Sequence, residues 1–451
     1  MHPTILKFGG SSVGNAQRIQ NVAKIILSQK EKYKVVVVSA VQKITDLLIN
    51  TANSALENNE SEVKKNLQIL KEIHFEIIEK NIANKDQKII HEVFNDYLNR
   101  IKNIYQGISC LNELSPQTLD LISSFGERMS AQLMAFTLKK MGINAQKISA
   151  AEIIRTDETF NGANVDFPQS EILIRKHIHP LLKKNIIPIV TGFIAGSIKG
   201  NIVTLGRGGS DYTAAILGIC LDAKEIQIWT DVSGILTTDP RIVKQAKIIP
   251  QITFKETAEL AYFGAKVLHP KTIQPAVEKN IPVRILNTFK PEDKGTIVAS
   301  GSKSDEIKAI SFLKNITLIR ICSSRMLGQY GFLAKIFEIF SHHKISIDVV
   351  TTSEVSVSLS INTKDLKPEL IEDLQKYGKV QTEKNLALIC IVGNKLKNDL
   401  KKEAIIFETL TKNKIPTEII SKGASNINIT FLIKEELLEK AVKALHKSLF
   451  E

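Results

Sequence analysis

The C-terminal third of the chain carries two copies of one pattern, and this repeat limits the folds that the chain can adopt. Matched strands and helices occur in the same order, and every matched pair is separated by 70 positions. The pairs are Ile316–Ile321 with Leu386–Ile391, Phe337–Glu338 with Phe407–Glu408, Lys344–Ile345 with Lys414–Ile415, and Leu359 with Ile429. A chance likeness of two amphipathic helices would not bring matched strands with it. The spacing therefore predicts two adjacent βαββαβ units, whose seam can bind a ligand.

The longer N-terminal part alternates strands with helices. The apolar runs Lys34–Ala40, Ile186–Thr191 and Lys224–Trp229 are typical of strands that are covered on both faces. Helical patterns separate these runs, which predicts an α/β fold with a mostly parallel sheet flanked by helices. Small and polar residues near 299–304 predict a flexible link to the repeated units.

One glycine-rich loop, TLGRGGSDYTA at Thr204–Ala214, runs from an apolar segment into a helix. Its glycines let the backbone approach a ligand closely, and a helix start with Ser210 as N-cap offers free N–H groups to an anion. The guanidinium of Arg207 matches a carboxylate or a phosphate. Asp211 then either orients a lysine or a metal ion at this site, or only complements the helix dipole.

A second glycine loop, KFGGSS at residues 7–12, follows the strand Thr4–Phe8 and precedes a helix. This order also suits a phosphate, although Lys7 precedes the glycines and the loop is not a Walker A motif. Ser39 and Thr45 follow another strand, at the sheet edge where α/β folds bind ligands. Glu127 stands beside Arg128 on a helix, and the pattern alone favours a solvated pair there.

Charge and hydropathy exclude several classes of protein. The net charge is +13, but the lysines are scattered and aromatic residues make up 6%, so the sequence predicts no nucleic-acid partner. The longest uncharged stretch, Asn185–Ile198, is too short for a membrane span, and we expect no secretory signal. The cysteines are widely spaced among apolar neighbours, which predicts buried free thiols and a cytoplasmic protein. They are Cys110, Cys220, Cys322 and Cys390.

Five motifs in this order resemble the signatures of the aspartokinases: KFGGSSV, SFGERMS, TLGRGGSDYTA, WTDVSGILTTDPR and FGAKVLHP. The resemblance covers essentially the whole chain and is closest to the monofunctional, lysine-sensitive bacterial type. It implies an amino-acid-kinase domain over residues 1–299, followed by two ferredoxin-like ACT regulatory units at 307–383 and 384–451. The second unit is expected to interleave with 300–315. The implied reaction is ATP-dependent phosphorylation of the L-aspartate β-carboxylate to 4-phospho-L-aspartate, the first step of lysine, threonine and methionine (diaminopimelate) biosynthesis.

The resemblance also assigns roles to individual residues. Lys7 and Asp211 would be catalytic, and the substrate would contact Ser39, Thr45, Glu127, Arg207 and Ser210. The nucleotide would contact Lys7, Gly9, Gly10, Ser11, Thr230, Asp231, Leu236, Arg241, Lys266 and Val267. Leu236 stands where the family often has tyrosine, so only a backbone contact is expected there. Mg²⁺ would bind mainly through phosphates and water.

The same resemblance implies feedback control by L-lysine and a homodimer or larger oligomer formed through the ACT units. The effector would bind at Met326, Ser346, Ile347, Asp348, Thr352, Ser353 and Glu354. Gly328 and Gln329 replace polar residues that are usual in the family. Two other functions are weighed against this one: a catalytically silent amino-acid sensor, and a kinase of glutamate or acetylglutamate. Intact Lys7, Glu127, Arg207 and Asp211 disfavour the first, and the duplicated unit disfavours the second.

Overall fold

The computed structural model describes residues 1–264, 270–301, 306–328, 330–394, 396, 399–423 and 426–451, with the backbone alone at 270 and 271. The first elements are β1 (Thr4–Phe8), α1 (Ala16–Ser28), β2 (Lys34–Val38), α2 (Ile44–Leu56), α3 (Glu60–Asn81), α4 (Asn84–Leu111), α5 (Pro116–Lys140), β3 (Ala145–Ile148), α6 (Ala150–Ile153), β4 (Arg155–Thr156), β5 (Val165–Asp166), α7 (Phe167–Lys183), β6 (Ile187–Thr191), β7 (Ile194–Ser197), β8 (Ile202–Thr204), α8 (Gly209–Cys220) and β9 (Glu225–Thr230). The remaining elements are β10 (Gln251–Thr253), α9 (Phe254–Tyr262), α10 (Pro270–Glu278), β11 (Val283–Asn287), β12 (Thr296–Ala299), β13 (Ile307–Cys322), α11 (Phe332–His342), β14 (Val349–Thr352), β15 (Ser356–Asn362), α12 (Pro368–Gln375), β16 (Lys379–Gly393), α13 (Leu400–Lys412), β17 (Ile419–Lys422), β18 (Asn428–Lys434) and α14 (Leu438–Phe450).

The chain forms two compact units. One consists of Met1–Ile235 and Val267–Ser300, and the other of Leu236–Lys266 and Gly301–Glu451. In the first unit, neighbouring strands follow the order β12-β11-β9-β1-β2-β6-β3. All of these pairings are parallel except that of β11 with β12. Strands β1 and β2 are apolar and buried because helices cover both faces of the sheet.

Helix α5 is the central helix of the layer beside this sheet. It begins after the N-cap Ser115 with Pro116 in its first turn, and it is buried along most of its length. The core around it includes Ile101, Phe125 and Met134. Because this helix is enclosed on several sides, its polar residues are buried as well, including Asp120 and Glu127. Buried carboxylates must find hydrogen-bond donors, so these two residues organise their surroundings.

A small second sheet in the first unit, with the order β5-β4-β7-β8, was not predicted from the sequence. Its strands are only two to four residues long, which is too short for an alternating hydrophobic pattern to be recognised. Strand β8 ends at Thr204, where the glycine loop begins, so this sheet carries the loop.

The second unit contains one antiparallel sheet with the order β14-β15-β13-β16-β18-β17. Strands β13 and β16 are long and pair with each other over both repeats, from Ile310 opposite Ile391 to Ile321 opposite Val380. The first half of β13 therefore packs into the core of the second repeat, where Ile310 lies with Phe431. Both repeats also share a left-handed backbone at equivalent positions: Asn315 and Asn385 have φ of 57° and 59°.

The predicted fold class, a mostly parallel α/β sheet with helices followed by repeated antiparallel units, is confirmed. The prediction of four buried thiols is wrong for two of them. Cys220 and Cys390 are buried, but Cys110 and Cys322 are exposed, because an apolar neighbour in sequence often points to the opposite face of a helix or strand. Within the described residues, none of the helices combines the length and apolar character that a membrane crossing needs.

Candidate active site

A cavity of about 590 Å³ lies in the first unit, where the loops after β1, β2 and β8 meet. The carboxyl ends of parallel strands are the usual ligand-binding edge of such sheets. Seven of the predicted catalytic and substrate residues line it: Lys7, Ser39, Thr45, Glu127, Arg207, Ser210 and Asp211. The predicted nucleotide residue Gly10 lines it too. The topology thus brings together residues that are far apart in sequence.

Lys7 and Asp211 form an ion pair in this cavity. Lys7 Nζ lies 2.6 Å from Asp211 Oδ1, and the side chains are only 11% and 16% exposed. Strand β1 supplies the lysine, and the first turn of α8 supplies the aspartate. A largely buried pair of this kind holds the ammonium group in one place, where it can face a phosphoryl group.

The glycine loop approaches its neighbours too closely for side chains. A Cβ on Gly209 would lie 2.7 Å from the ring of Phe193, and one on Gly192 would lie 2.6 Å from Ser210 Oγ. Helix α8 begins at Gly209, and Gly208 occupies the N-cap position with φ of 73°. The prediction of Ser210 as N-cap is therefore wrong, because only glycine adopts this left-handed cap at little cost. Ser210 lies in the first helical turn, against the cavity.

Glu127 is 3% exposed, so the pattern-based interpretation of a solvated Glu–Arg pair is wrong. The Ala40 N–H donates a hydrogen bond to Glu127 Oε1 at 3.2 Å. Among the described residues, Oε2 meets no hydrogen-bond donor. Burial raises the pKa of Glu127 to about 8, while the Ala40 hydrogen bond and the charge of Lys7 oppose that shift. A buried carboxyl oxygen without a donor suits a ligand ammonium group.

The predicted nucleotide residues are more dispersed. The Gly9 N–H donates to Trp229 O at 3.2 Å, which ties the first glycine loop to the end of β9. Directly after that tryptophan, the Thr230 hydroxyl donates to Asp231 Oδ1 at 3.1 Å. Ser11 is half-buried beside Gly10. Helix α1 follows this loop from Ala16, as the sequence predicts.

Two further nucleotide residues belong to the second unit. Leu236 is half-buried there and forms an isolated bridge with Ile248. The exposed Arg241 guanidinium pairs with Asp239 at 2.6 Å. Lys266 and Val267 lie outside the described residues, as does Gln329.

The predicted effector residues lie in the second unit around the start and end of β14. Asp348 precedes this strand; its Oδ1 accepts a hydrogen bond from the Tyr262 hydroxyl at 3.3 Å, and its Oδ2 is buried with no donor among the described residues. Burial raises the pKa of Asp348 to about 6. Near the carboxyl end of the strand, Thr352, Ser353 and Glu354 are exposed. The other predicted positions are half-buried Met326 and Ile347 and exposed Ser346 and Gly328.

Sequence reasoning missed several residues of the cavity wall, among them Gln42, Lys43, Asn161 and Phe193. Phe193 has φ of 68°, an uncommon conformation for a residue other than glycine, and its N–H donates to Thr213 Oγ1 at 3.1 Å. The strained position between β6 and β7 presents the ring to the glycine loop. The segment Thr191-Gly192-Phe193 carries a turn signal in Gly192, but nothing local to it indicates a site.

Comparison with known proteins agrees with these observations. The model of the amino acid kinase family matches residues 3–287, and an ACT domain model matches 319–368 and 389–449. Aspartokinase 1 of Arabidopsis thaliana, a chloroplastic protein, is 40% identical over 99% of this chain and 80% of its own length.

Two crystal structures of Escherichia coli aspartokinase III are also similar. The complex with aspartate and ADP is 36% identical over 99% of this chain and 100% of that one, with a TM-score of 0.81. The complex with lysine and aspartate is 37% identical, covers 99% of both chains and has a TM-score of 0.85. The fold, the cavity and the ACT pattern thus define an amino acid kinase with regulatory domains. More narrowly, the chain belongs to the aspartokinase family.

Proposed function

We propose that the cavity of the first unit binds L-aspartate and transfers the γ-phosphoryl group of ATP to its β-carboxylate, giving 4-phospho-L-aspartate. The observation that carries this proposal is the buried Lys7–Asp211 pair at a glycine loop, with the donor-free Oε2 of Glu127 in the same cavity. A carboxylate nucleophile is already ionised at neutral pH, so the reaction needs positioning and charge neutralisation rather than a general base.

In this proposal, different residues of the cavity bind different parts of the substrates. Lys7, held by Asp211, neutralises charge on the transferring phosphoryl group. Arg207 binds the α-carboxylate of aspartate and Glu127 binds its ammonium group, with Ser39, Thr45 and Ser210 completing the pocket. The residues predicted to contact the nucleotide are Gly9 to Ser11, Thr230, Asp231, Leu236, Arg241, Lys266 and Val267.

The proposed reaction would use Mg²⁺ bound with the nucleotide, where it would neutralise part of the phosphate charge. Magnesium bound with a nucleotide retains several waters and takes few protein ligands. Asp211, one of the carboxylates that line the cavity, would orient its water shell.

The substrate assignment is tested by acyl-hydroxamate formation with ATP, comparing aspartate with glutamate. We expect turnover with aspartate, and faster turnover with glutamate would contradict the assignment. Arg207→Lys keeps the charge and loses the planar fork, so the KM for aspartate should rise about ten- to hundredfold, while the KM for ATP changes far less. Equal increases in both KM values would place Arg207 at the phosphates instead.

We further propose feedback inhibition by L-lysine at the second unit. Two carboxylates, Asp348 and Glu354, suit the two ammonium groups of lysine. The Met326 and Leu327 N–H groups, which the sequence predicts to bind its carboxylate, already donate to Ser323 O and Ser324 O. The Escherichia coli relative crystallised with lysine and aspartate supports this assignment.

We propose dimers or larger oligomers through the ACT units, a cytoplasmic location, and domain limits of 1–299, 307–383 and 384–451, with 300–315 interleaved.

A further inference from the structure

Asp120 is a buried carboxylate next to the cavity to which the proposed mechanism gives no role. It is 1% exposed and lies in the second turn of α5. Asp120 Oδ2 accepts hydrogen bonds from the Thr204 N–H at 2.8 Å and from the Asn161 N–H at 3.0 Å. Its Oδ1 accepts a third bond from the Thr204 hydroxyl at 2.8 Å. A single side chain thus joins two segments that are 43 positions apart in sequence.

These two segments form adjacent walls of the cavity. Thr204 is the last residue of β8 and opens the glycine loop that carries Arg207, while Asn161 lines the cavity from a separate turn. The walls touch at Gly206, where a Cβ would lie 3.3 Å from Asn161 O. The relative position of the two backbones is therefore fixed by Asp120, by this close approach and by the Ala163 N–H, which donates to Thr204 O at 3.0 Å.

The contact depends on both oxygens of the side chain. All three groups that face Asp120 donate, and a carboxylate accepts at both oxygens. An amide of the same shape could still accept both N–H groups at its one oxygen and donate from its NH₂ group to the Thr204 hydroxyl, so Asp120→Asn is a conservative change. Asp120→Ala removes all three bonds and leaves two buried N–H groups without this partner.

Helix α5 carries a second carboxylate with a similar task. Glu127 follows Asp120 by seven positions, which is two helical turns, so both side chains leave the same face of the helix. Glu127 accepts a hydrogen bond from the Ala40 N–H just after β2. Asp120 accepts hydrogen bonds from Thr204 and Asn161. The helix thereby fixes the cavity wall near the proposed ammonium site and the wall near the proposed α-carboxylate site.

We propose that Asp120 is a positioning residue for the amino-acid substrate: by joining the Asn161 turn to the Arg207 loop, it sets the length of the acidic amino acid that the cavity accepts. The inference rests on the proposed function, since it assumes that Arg207 binds the α-carboxylate. Asp120 does not touch the reacting atoms, so its effect is on substrate placement and on the choice between aspartate and glutamate.

The test is the steady-state kinetics of Asp120→Ala with both amino acids, with Asp120→Asn as the conservative variant that should keep most of the wild-type behaviour. We expect the KM for aspartate to rise about ten- to hundredfold, because a shift of about 1 Å in a binding wall has effects of that size. The KM for ATP should change less than threefold, and the preference for aspartate over glutamate should fall at least fivefold. Thr204→Val, which removes one of the three bonds, should shift the same constants in the same direction, and the double variant should be less than additive.

The matched control is Asp166→Ala. Asp166 is also an aspartate that accepts a backbone N–H, from Gln169 at 3.0 Å, but it caps α7 and does not line the cavity. This substitution should leave all kinetic constants unchanged. A folded Asp120→Ala enzyme with unchanged constants, or one in which both KM values rise equally, would overturn the inference.

Amide hydrogen exchange separates this inference from the proposed function. In the ligand-free protein, Asp120→Ala should lower the protection of the Asn161 and Thr204 amides, and unchanged protection would overturn the positioning role. If the wild-type enzyme itself does not phosphorylate aspartate, the proposed function fails. Exchange at these two amides then still decides whether Asp120 joins the two walls.

Discussion

Lys7 and Asp211 are the residues on which catalysis should depend most directly. We expect Lys7→Ala and Asp211→Ala each to lower kcat by about 10²–10³-fold, because Lys7 would contact the charge that develops on the phosphoryl group and Asp211 holds that lysine in place. Lys139→Ala is the matched control: Lys139 also pairs with an aspartate, Asp86, at 2.8 Å, but it lies outside the cavity. A correctly folded Lys7→Ala or Asp211→Ala enzyme with near-wild-type kcat would contradict the assigned role.

Glu127 should release a proton when aspartate binds. Its pKa of about 8 in the ligand-free protein means that it is mostly protonated at pH 7, and a ligand ammonium group favours the ionised form and lowers that pKa. Aspartate affinity should therefore rise as the pH rises toward 8 and level off above it. Calorimetry at pH 7 in buffers of different ionisation enthalpy measures the release, which should approach one proton per site. Glu127→Gln should abolish it; release that persists in this variant would assign the proton to another group.

The residue types at the site could be predicted from sequence, but their environments could not. Lys7, Arg207 and Asp211 stand in glycine-rich segments whose local chemistry points to an anion. Glu127 gives no such local signal, since a Glu–Arg pair on a helix normally faces solvent. Only the burial of α5 on nearly every side turns it into a cavity residue.

At the scale of elements, the packing of α5 against the end of β2 should control substrate affinity. A Cβ on Gly126 would lie 2.7 Å from the Cβ of Ala40, so Gly126→Ala must displace the helix or the turn that carries the Glu127 partner. We expect a loss of about 1–3 kcal/mol in the free energy of unfolding and a higher KM for aspartate.

A glycine on a neighbouring helix provides the control for this prediction. Nothing lies within 4 Å of a Cβ placed on Gly107 in α4, so Gly107→Ala should stabilise the protein by about 0.5–1 kcal/mol through helix propensity alone. Urea unfolding measures both changes. If the two substitutions changed stability in the same direction, the close approach at Gly126 would not be limiting.

Elements with a strong apolar signal could be predicted: β2 is a continuous apolar run, and the apolar pattern of α5 extends over 25 residues. The short strands β4, β5, β7 and β8 could not, since two to four residues contain no measurable period. The sequence also misplaced the start of α8. Ser210 has the better side chain for an N-cap, but Gly208, with its left-handed backbone, occupies the N-cap position instead.

At the scale of the whole molecule, the repeat at 70 positions predicted two related units but not that they share strands. The sharing arises because β13 and β16 are each long enough to serve both repeats, and strand length across a turn-like Asn315 cannot be read from a hydrophobic pattern. The position of the segment Leu236–Lys266 in the fold could not be predicted from the sequence either. It lies among kinase motifs in sequence, yet it packs within the second unit.

Lysine binding in the second unit should change the affinity of the enzyme for its substrates, and the reverse coupling must be equal. A coupling of about 1–3 kcal/mol changes aspartate or ATP affinity roughly 5–150-fold, because lysine favours one global state over another. In the proposed effector site, the carboxylate form of Asp348 would bind a ligand ammonium group. Since its pKa is about 6, lysine should bind more weakly as the pH falls from 7.5 to 5.5. Asp348→Asn and Thr352→Ile should raise the half-inhibitory lysine concentration at least tenfold, and the first should remove the pH dependence. Calorimetry with and without aspartate measures both directions of the coupling. If millimolar lysine neither inhibits the wild type nor shifts its Tm, lysine is not the effector, and threonine is the next ligand to test.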